Sequence, residues 1–314
     1  MFFLCQKREK EFFKMNLEDL TATTGDYGDF LGNLMWYSIG EQLVSVDDLE
    51  QKLTDADMDT GWMPNAIRSS DAFRRATKEV EKKQPRIQSG ENINENILIR
   101  EVDSNQKMVQ RNIVVETVDQ QGKRLHYSPD SAVITLDKKN STVCYESKEN
   151  EEVLNPLCQS IQDKFNIYKS HYSAQQLRAM VKKILDSLAP TPVKKNGGIY
   201  FIPATRQDDL KKLITLIGTL ENSEGYKVPV INTSDNRSMV SNKLYDHFNS
   251  LLNNCKNKPN MKKGDMKALI NEANRAIKDY RDYKEIVSED IDSINDVVRQ
   301  VRSEIMDIAA DINE

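Results

Sequence analysis

Residues 265–313, DMKALINEANRAIKDYRDYKEIVSEDIDSINDVVRQVRSEIMDIAADIN, decide how the C-terminal part of this chain folds. Apolar side chains recur there at alternating three- and four-residue steps: Met266, Ile270, Ala273, Ile277, Tyr280, Val287, Ile291, Ile294, Val298, Val301, Ile305, Ile308 and Ile312, with Lys284 the one polar interruption. This is a heptad seam, a narrow apolar stripe that is stable only against another helix. Neither Gly nor Pro follows Gly264, and Asp265 is a suitable N-cap. An unbroken helix over 265–313 would be roughly 70 Å long. β-Branched residues at both core positions disfavour a parallel dimer and favour three or four helices. Two readings share the pattern. In one, copies of the chain associate through Ile277, Ile291, Ile294, Val298, Val301, Ile305 and Ile308; in the other, the seam packs inside its own monomer, against 240–252.

Composition narrows the setting. The chain has 314 residues, enough for two domains, with 38 % hydrophobic and 30 % charged residues, as in a helix-rich globular protein. The net charge of −5 gives no overall attraction to nucleic acid or membrane. Charge is nonetheless uneven: Arg68, Arg74, Arg75, Lys78, Lys82, Lys83 and Arg86 form a basic stretch, while the C-terminal segment is rich in Asp and Glu. Cys5, Cys144, Cys158 and Cys255 show no metal-ligand spacing, which suits a reducing compartment. No apolar run approaches the ~20 residues that span a bilayer, so no membrane partner is expected. Residues 1–28 read as a weakly ordered tail in which Met15 is an alternative start.

The remaining pattern predicts an α+β protein. A small helical domain is expected over 29–83, built of three short helices: 29–36, one beginning after the N-cap Ser45, and one capped by Ser69 or Ser70. Residues 84–96 are polar and aperiodic and read as a linker. An antiparallel β meander, or a small open barrel, follows over 97–150, from five β-rich runs separated by Asp119-Gln120-Gln121-Gly122 and similar turns. Over 151–232 the order is a helix, a second helix opened by a capping box at Ser173, a hairpin with an Asn196-Gly197-Gly198 tip, a helix capped by Thr205 and a strand near 226–231. A helix pair followed by such a hairpin is winged-helix-like. A helical hairpin or coiled coil then occupies 233–314, with its long heptad helix.

Two basic sets follow from this order. Arg74, Arg75 and Lys78 share one helix face; Arg178, Lys182 and Lys183 lie on the helix before the wing, whose tip carries Lys194 and Lys195. Together they are the candidate nucleic-acid contacts, weighed against the ordinary solvated helix face. His126, His171 and His247 are far apart, and neither a nucleophile elbow nor a metal-binding motif occurs, so no catalytic, metal or cofactor residues are assigned. A nuclease that gathers dispersed carboxylates around metal is the enzyme alternative.

The stretches Leu34-Met35-Trp36-Tyr37-Ser38-Ile39-Gly40, Ser70-Asp71-Ala72-Phe73-Arg74-Arg75-Ala76-Thr77-Lys78 and Gly197-Gly198-Ile199-Tyr200-Phe201-Ile202-Pro203 resemble an uncharacterised family of bacteriophage and prophage proteins, over about 32–217. That family has no assigned activity, so the resemblance transfers no catalytic residue. It implies a virus-encoded protein in a bacterial cytoplasm. The expectation is a non-enzymatic interaction protein that associates through its C-terminal helix and meets a host or phage protein. A DNA-binding or replication-associated role is the alternative.

Overall fold

The computed structural model describes residues 29–88, 91–149, 151–194, 197–257, 261–287 and 291–313. The tail over 1–28, with Cys5 and Met15, and the hairpin residue Lys195 lie outside the described residues. The expected α+β class is observed. Two compact units are distinguished: Met35–Ile202 with Arg206–Lys227, and Met1–Leu34 with Pro203–Thr205 and Val228–Glu314.

The larger unit holds two apolar cores. The first lies on the meander. Strands β3 (Lys82–Gln88), β4 (Glu91–Ser104), β5 (Met108–Val118), β6 (Arg124–Asp137) and β7 (Thr142–Ser147) pair antiparallel in sequence order. Alternation sends Ile113, Ile134 and Leu136 to one face, where α2 (Ser69–Lys78) and α3 (Glu151–Tyr168) cover them with Phe73, Ile161 and Phe165. Phe73 and Phe165 meet edge to face, their ring centres 6.4 Å apart. Burying such a ring is worth on the order of 2–3 kcal/mol. The segment 84–96, expected as a linker, instead forms β3 and the start of β4, whose backbones pair from Lys82↔Ile97 to Gln88↔Glu91. Backbone pairing at a sheet margin does not require apolar side chains, so hydrophobic periodicity misses it.

The second core joins α1 (Val46–Asp55), α4 (Ala174–Asp186) and α5 (Gln207–Thr219) around Leu49, Leu53, Val181, Ile184, Leu213 and Leu216. Ser45 caps α1 by accepting from Asp48 N at 3.1 Å, and Ser173 closes its capping box with Gln176, both as expected. The helix capped by Thr205 differs: Ala204–Arg206 is a single 3-10 turn, and Arg206 precedes α5 without a side-chain cap.

Residues 29–36 are not helical. They enter β1 (Phe30–Ile39), which lies between β11 (Ser223–Ile231) and β10 (Tyr200–Pro203) in a sheet of order β11-β1-β10-β9, with β9 being Thr191–Pro192. Met35 and Ile39 are buried while Trp36 and Ser38 are exposed, the two-residue period of a strand. Trp36 stacks obliquely on Tyr226, their centres 5.7 Å apart. A two-stranded sheet pairs β2 (Leu43–Ser45) with β8 (His171–Ser173). The expected hairpin is present as the antiparallel pair β9–β10, which forms one side of that four-stranded sheet. Its glycines are required there: a Cβ on Gly197 would lie 2.8 Å from Lys194 Cβ, and Gly198 has φ +63°.

The other unit is built on α6 (Ser234–Lys256), α7 (Lys263–Asp279) and α8 (Ile291–Asn313), which pack on one another. The seam is real but divided: α7 ends in a 3-10 turn at Tyr280–Tyr283, and α8 runs back antiparallel, with Lys263 Nζ 3.4 Å from the Ile312 carbonyl. An uninterrupted rod over 265–313 is therefore corrected to two helices. The reason is visible in the corner. Tyr283 and Ile286 lie off the seam yet are buried with Val287, which a straight helix with one narrow stripe does not allow. Arg237 of α6 holds the corner by donating to the Glu285 and Ile286 carbonyls at 2.8 and 3.3 Å. Among the described residues no helix is long and apolar enough to cross a membrane.

Candidate functional site

The first basic set forms part of a cleft in the larger unit. In α2 the apolar residues Ala72, Phe73 and Ala76 face the meander, and helical geometry turns Arg74 and Lys78 outward. Asp71 accepts from Arg68 Nε at 2.8 Å and from Arg74 Nη2 at 3.1 Å. Arg75 is held differently: its guanidinium carbon lies 4.0 Å from the Tyr168 ring centre, and its Nε is 3.4 Å from Glu79 Oε1.

Glu79 organises this corner. It accepts from Lys164 Nζ at 2.9 Å and from the Tyr168 hydroxyl. Burial by itself raises the Glu79 carboxyl, but the hydrogen bonds from Tyr168, Lys164 and Arg75 outweigh it and hold the group below its ordinary value. The Tyr168 phenol is raised by burial and then by Glu79, and the Lys164 ammonium is raised by its bond to Glu79. Glu79 therefore stays ionised, and its ion pair with Arg75 orients the guanidinium against the Tyr168 ring.

Across the cleft stand the end of α3 and the start of α4. His171 Nδ1 lies 2.9 Å from the Ile167 carbonyl and 3.0 Å from Ser170 Oγ, which favours a proton on Nδ1. Ser173, Gln175 and Gln176 bring the N-terminus of α4 to the same opening. The cleft, about 530 Å³, is lined by Arg74, Arg75, Lys78, Tyr168, His171 and this α4 turn, and among the described residues Asp71, already paired, is the one carboxylate lining it. Three cations and a helix N-terminus make it attractive to anions.

The second basic set is not gathered there. Arg178 donates to the Ile39 carbonyl at 3.1 and 2.9 Å and to Glu41 at 2.6 Å. Lys182 pairs with Asp186, and Lys183 lies 5.4 Å from the Trp62 ring centre. Lys194 sits in the wing turn against Gly197, and Lys195 is outside the described residues. Of the seam residues, Ile294, Val298, Val301, Ile305 and Ile308 are buried, and Ile277 and Ile291 are half-buried. Tyr168, His171 and the α4 turn were not singled out from sequence. The Ser173 capping box marked that helix start, yet nothing local pairs it with residues a hundred positions upstream. Among the described residues no three His, Cys, Asp or Glu side chains come together as a metal-binding group.

Residues 30–314 match the model of a family described as a family of unknown function, DUF6744. The chain belongs to that family. The match to DUF6744 runs from β1 to the end of α8, so it takes in both the basic cleft and the C-terminal helices. The resemblance read from sequence stops near residue 217, whereas the DUF6744 region also includes α6, α7 and α8. No curated protein and no solved structure matches the chain.

Proposed function

We propose that this chain is a non-catalytic nucleic-acid-binding protein, and that the α2 cleft holds the phosphate backbone of a strand. The observation that carries the reading is the convergence of Arg74, Arg75, Lys78 and the α4 N-terminus on one opening whose lining carboxylate is already paired. Arg75, stacked on Tyr168, offers a pre-oriented guanidinium, whereas Lys78 and Arg74, the latter in an exposed pair with Asp71, stand at the surface where phosphates would pass. The reading favours the DNA-associated alternative over association through the C-terminal seam, because most of that seam is filled by packing within its own unit. On the sequence resemblance, the setting is the cytoplasm of a bacterium carrying a phage or prophage.

Binding of labelled single-stranded and duplex DNA, followed by fluorescence anisotropy between 50 and 200 mM salt (roughly the window in which phosphate contacts separate most clearly), tests the reading. Affinity should fall steeply with salt. Arg74→Glu with Lys78→Glu should abolish it, and neutral Arg74→Gln with Lys78→Gln should lower the salt slope by about two. Absence of binding at low salt, or binding indifferent to these substitutions, refutes it.

A further inference from the structure

The C-terminal helices contain a second basic cavity, which shares no lining residue with the α2 cleft. Where α7 meets α8, near the Tyr280–Tyr283 turn, a cavity of about 770 Å³ is lined by five cations: Lys278, Arg281, Lys284, Arg299 and Arg302. Among the described lining residues Asp292 is the one carboxylate, and Asp296 pairs with Arg299, so these five cations face two carboxylates, five minus two, or a net charge of +3. Among the described residues no carboxylate lies within ion-pair distance of Lys278, Lys284 or Arg302, and Arg299 pairs with Asp296. All five side chains are exposed, so water and salt screen their mutual repulsion, and an anion bound among them would lower it further.

The heptad explains how it arises. Lys278 and Arg281 occupy the same two heptad positions as Arg299 and Arg302, one and four residues after the core residues Ile277 and Val298 and so on one side of the seam. In a straight rod these pairs would be some 30 Å apart. Folding α8 back onto α7 brings them to one cavity. A second, independent feature points the same way. Tyr280 is only 4 % exposed, yet its hydroxyl has no hydrogen-bond partner among the described residues. Its ring is fixed edge to face on Phe248, and the phenol is raised by burial and then by the charge of Asp292, which lines the same cavity. Tyr280 is thus a protonated donor left unused beside a cluster of cations.

We propose that this cavity binds an oligophosphate of nucleotide size, its phosphate chain held by Arg281, Arg299, Arg302 and the lysines and accepting the Tyr280 hydroxyl. The volume exceeds what a single phosphate fills and lies in the range of small-ligand sites. Arginine forks suit phosphate oxygens, and the net positive charge suits an ionised phosphate chain. Ile277 and Val298 offer an apolar wall to whatever the chain carries, and Asn274 and Asn295 offer amides to its polar edge.

The test uses the full chain, with ATP and inorganic triphosphate as probes and sodium chloride at matched ionic strength as the control. Calorimetric titration and thermal melting are read together. Saturable binding, with a melting temperature that rises with the logarithm of probe concentration, is expected. Arg299→Gln with Arg302→Gln should weaken it at least about tenfold. Tyr280→Phe should weaken it several-fold while leaving the ligand-free melting temperature unchanged or higher, because it removes a hydroxyl with no partner. Equal affinity for both probes assigns recognition to the phosphate chain alone, and tighter ATP binding assigns the nucleoside as well. The proposal is overturned if neither probe exceeds the chloride control, or if Arg299→Gln with Arg302→Gln has no effect. Loss of probe binding only in Arg74→Glu with Lys78→Glu also overturns it, by moving the ligand to the α2 cleft.

Discussion

Glu79 gathers Tyr168, Lys164 and Arg75 on one carboxylate and so ties the end of α2 to the end of α3. Because its folded value lies below the ordinary one, its stabilisation is whole above the usual carboxylate range and disappears as pH falls through the lowered value. The group is partly exposed, so its contribution is about 1 kcal/mol or less. Urea midpoints should therefore separate wild type from Glu79→Gln at pH 7 and converge near pH 3, a pH roughly at the lower end of carboxylate titration. A gap that persists in acid refutes the ionic origin. Thiols give a second test at this scale. Cys144 is exposed, whereas burial pushes the Cys158 thiol up to about 11 and also raises Cys255. Brief alkylation of the native protein should modify Cys144 and spare Cys158 and Cys255 until denaturant is added. Equal labelling of all three would contradict their burial.

Among the elements, α7 and α8 show what a heptad does and does not specify. The periodicity correctly marks which side chains become buried, Ala273, Tyr280, Ile294, Val298, Val301, Ile305 and Ile308 among them. It does not specify the partner, because a stripe fits a second copy and a neighbouring helix equally well. With Val301 fully buried inside its own unit, Val301→Asp should cost roughly 3 kcal/mol or more and melt the C-terminal helices. Circular dichroism and light scattering distinguish the outcomes. A folded variant of halved mass would instead show that the seam holds copies together. Strand β1 teaches the converse. Its run Leu34-Met35-Trp36-Tyr37 is apolar enough for a helix, and the pairing with β10 and β11, supplied from some 170 or more residues downstream, makes it a strand.

At the scale of the molecule, each unit has its own core. The cores of the larger unit include no residue after Leu220. A chain ending at Asn232 keeps both cores together with β11, and should fold and retain the α2 cleft. A chain ending at Lys263 keeps α6 but loses α7 and α8, uncovering Val240, Leu244, Phe248 and Leu251. It should aggregate or lose the helicity of α6, as dye binding and sedimentation would reveal. Equal behaviour of the two truncations would show that α6 does not depend on its neighbours.

What the sequence determined by itself was local. The caps at Ser45 and Ser173, the runs of the meander, the wing glycines and the buried side of the heptad all depend on residues within a turn or a strand of one another. Tertiary structure alone decided that 84–96 pairs into the sheet, that the rod turns back, and that two sets of cations each share an opening. Tyr168 and Glu79 meet across 89 positions, and Arg281 and Arg302 come to one cavity only because Tyr283, Ile286 and Val287 are buried at the corner. Periodicity reports which faces must leave water; which distant face receives them is set by competition among all the surfaces the chain can bury at once.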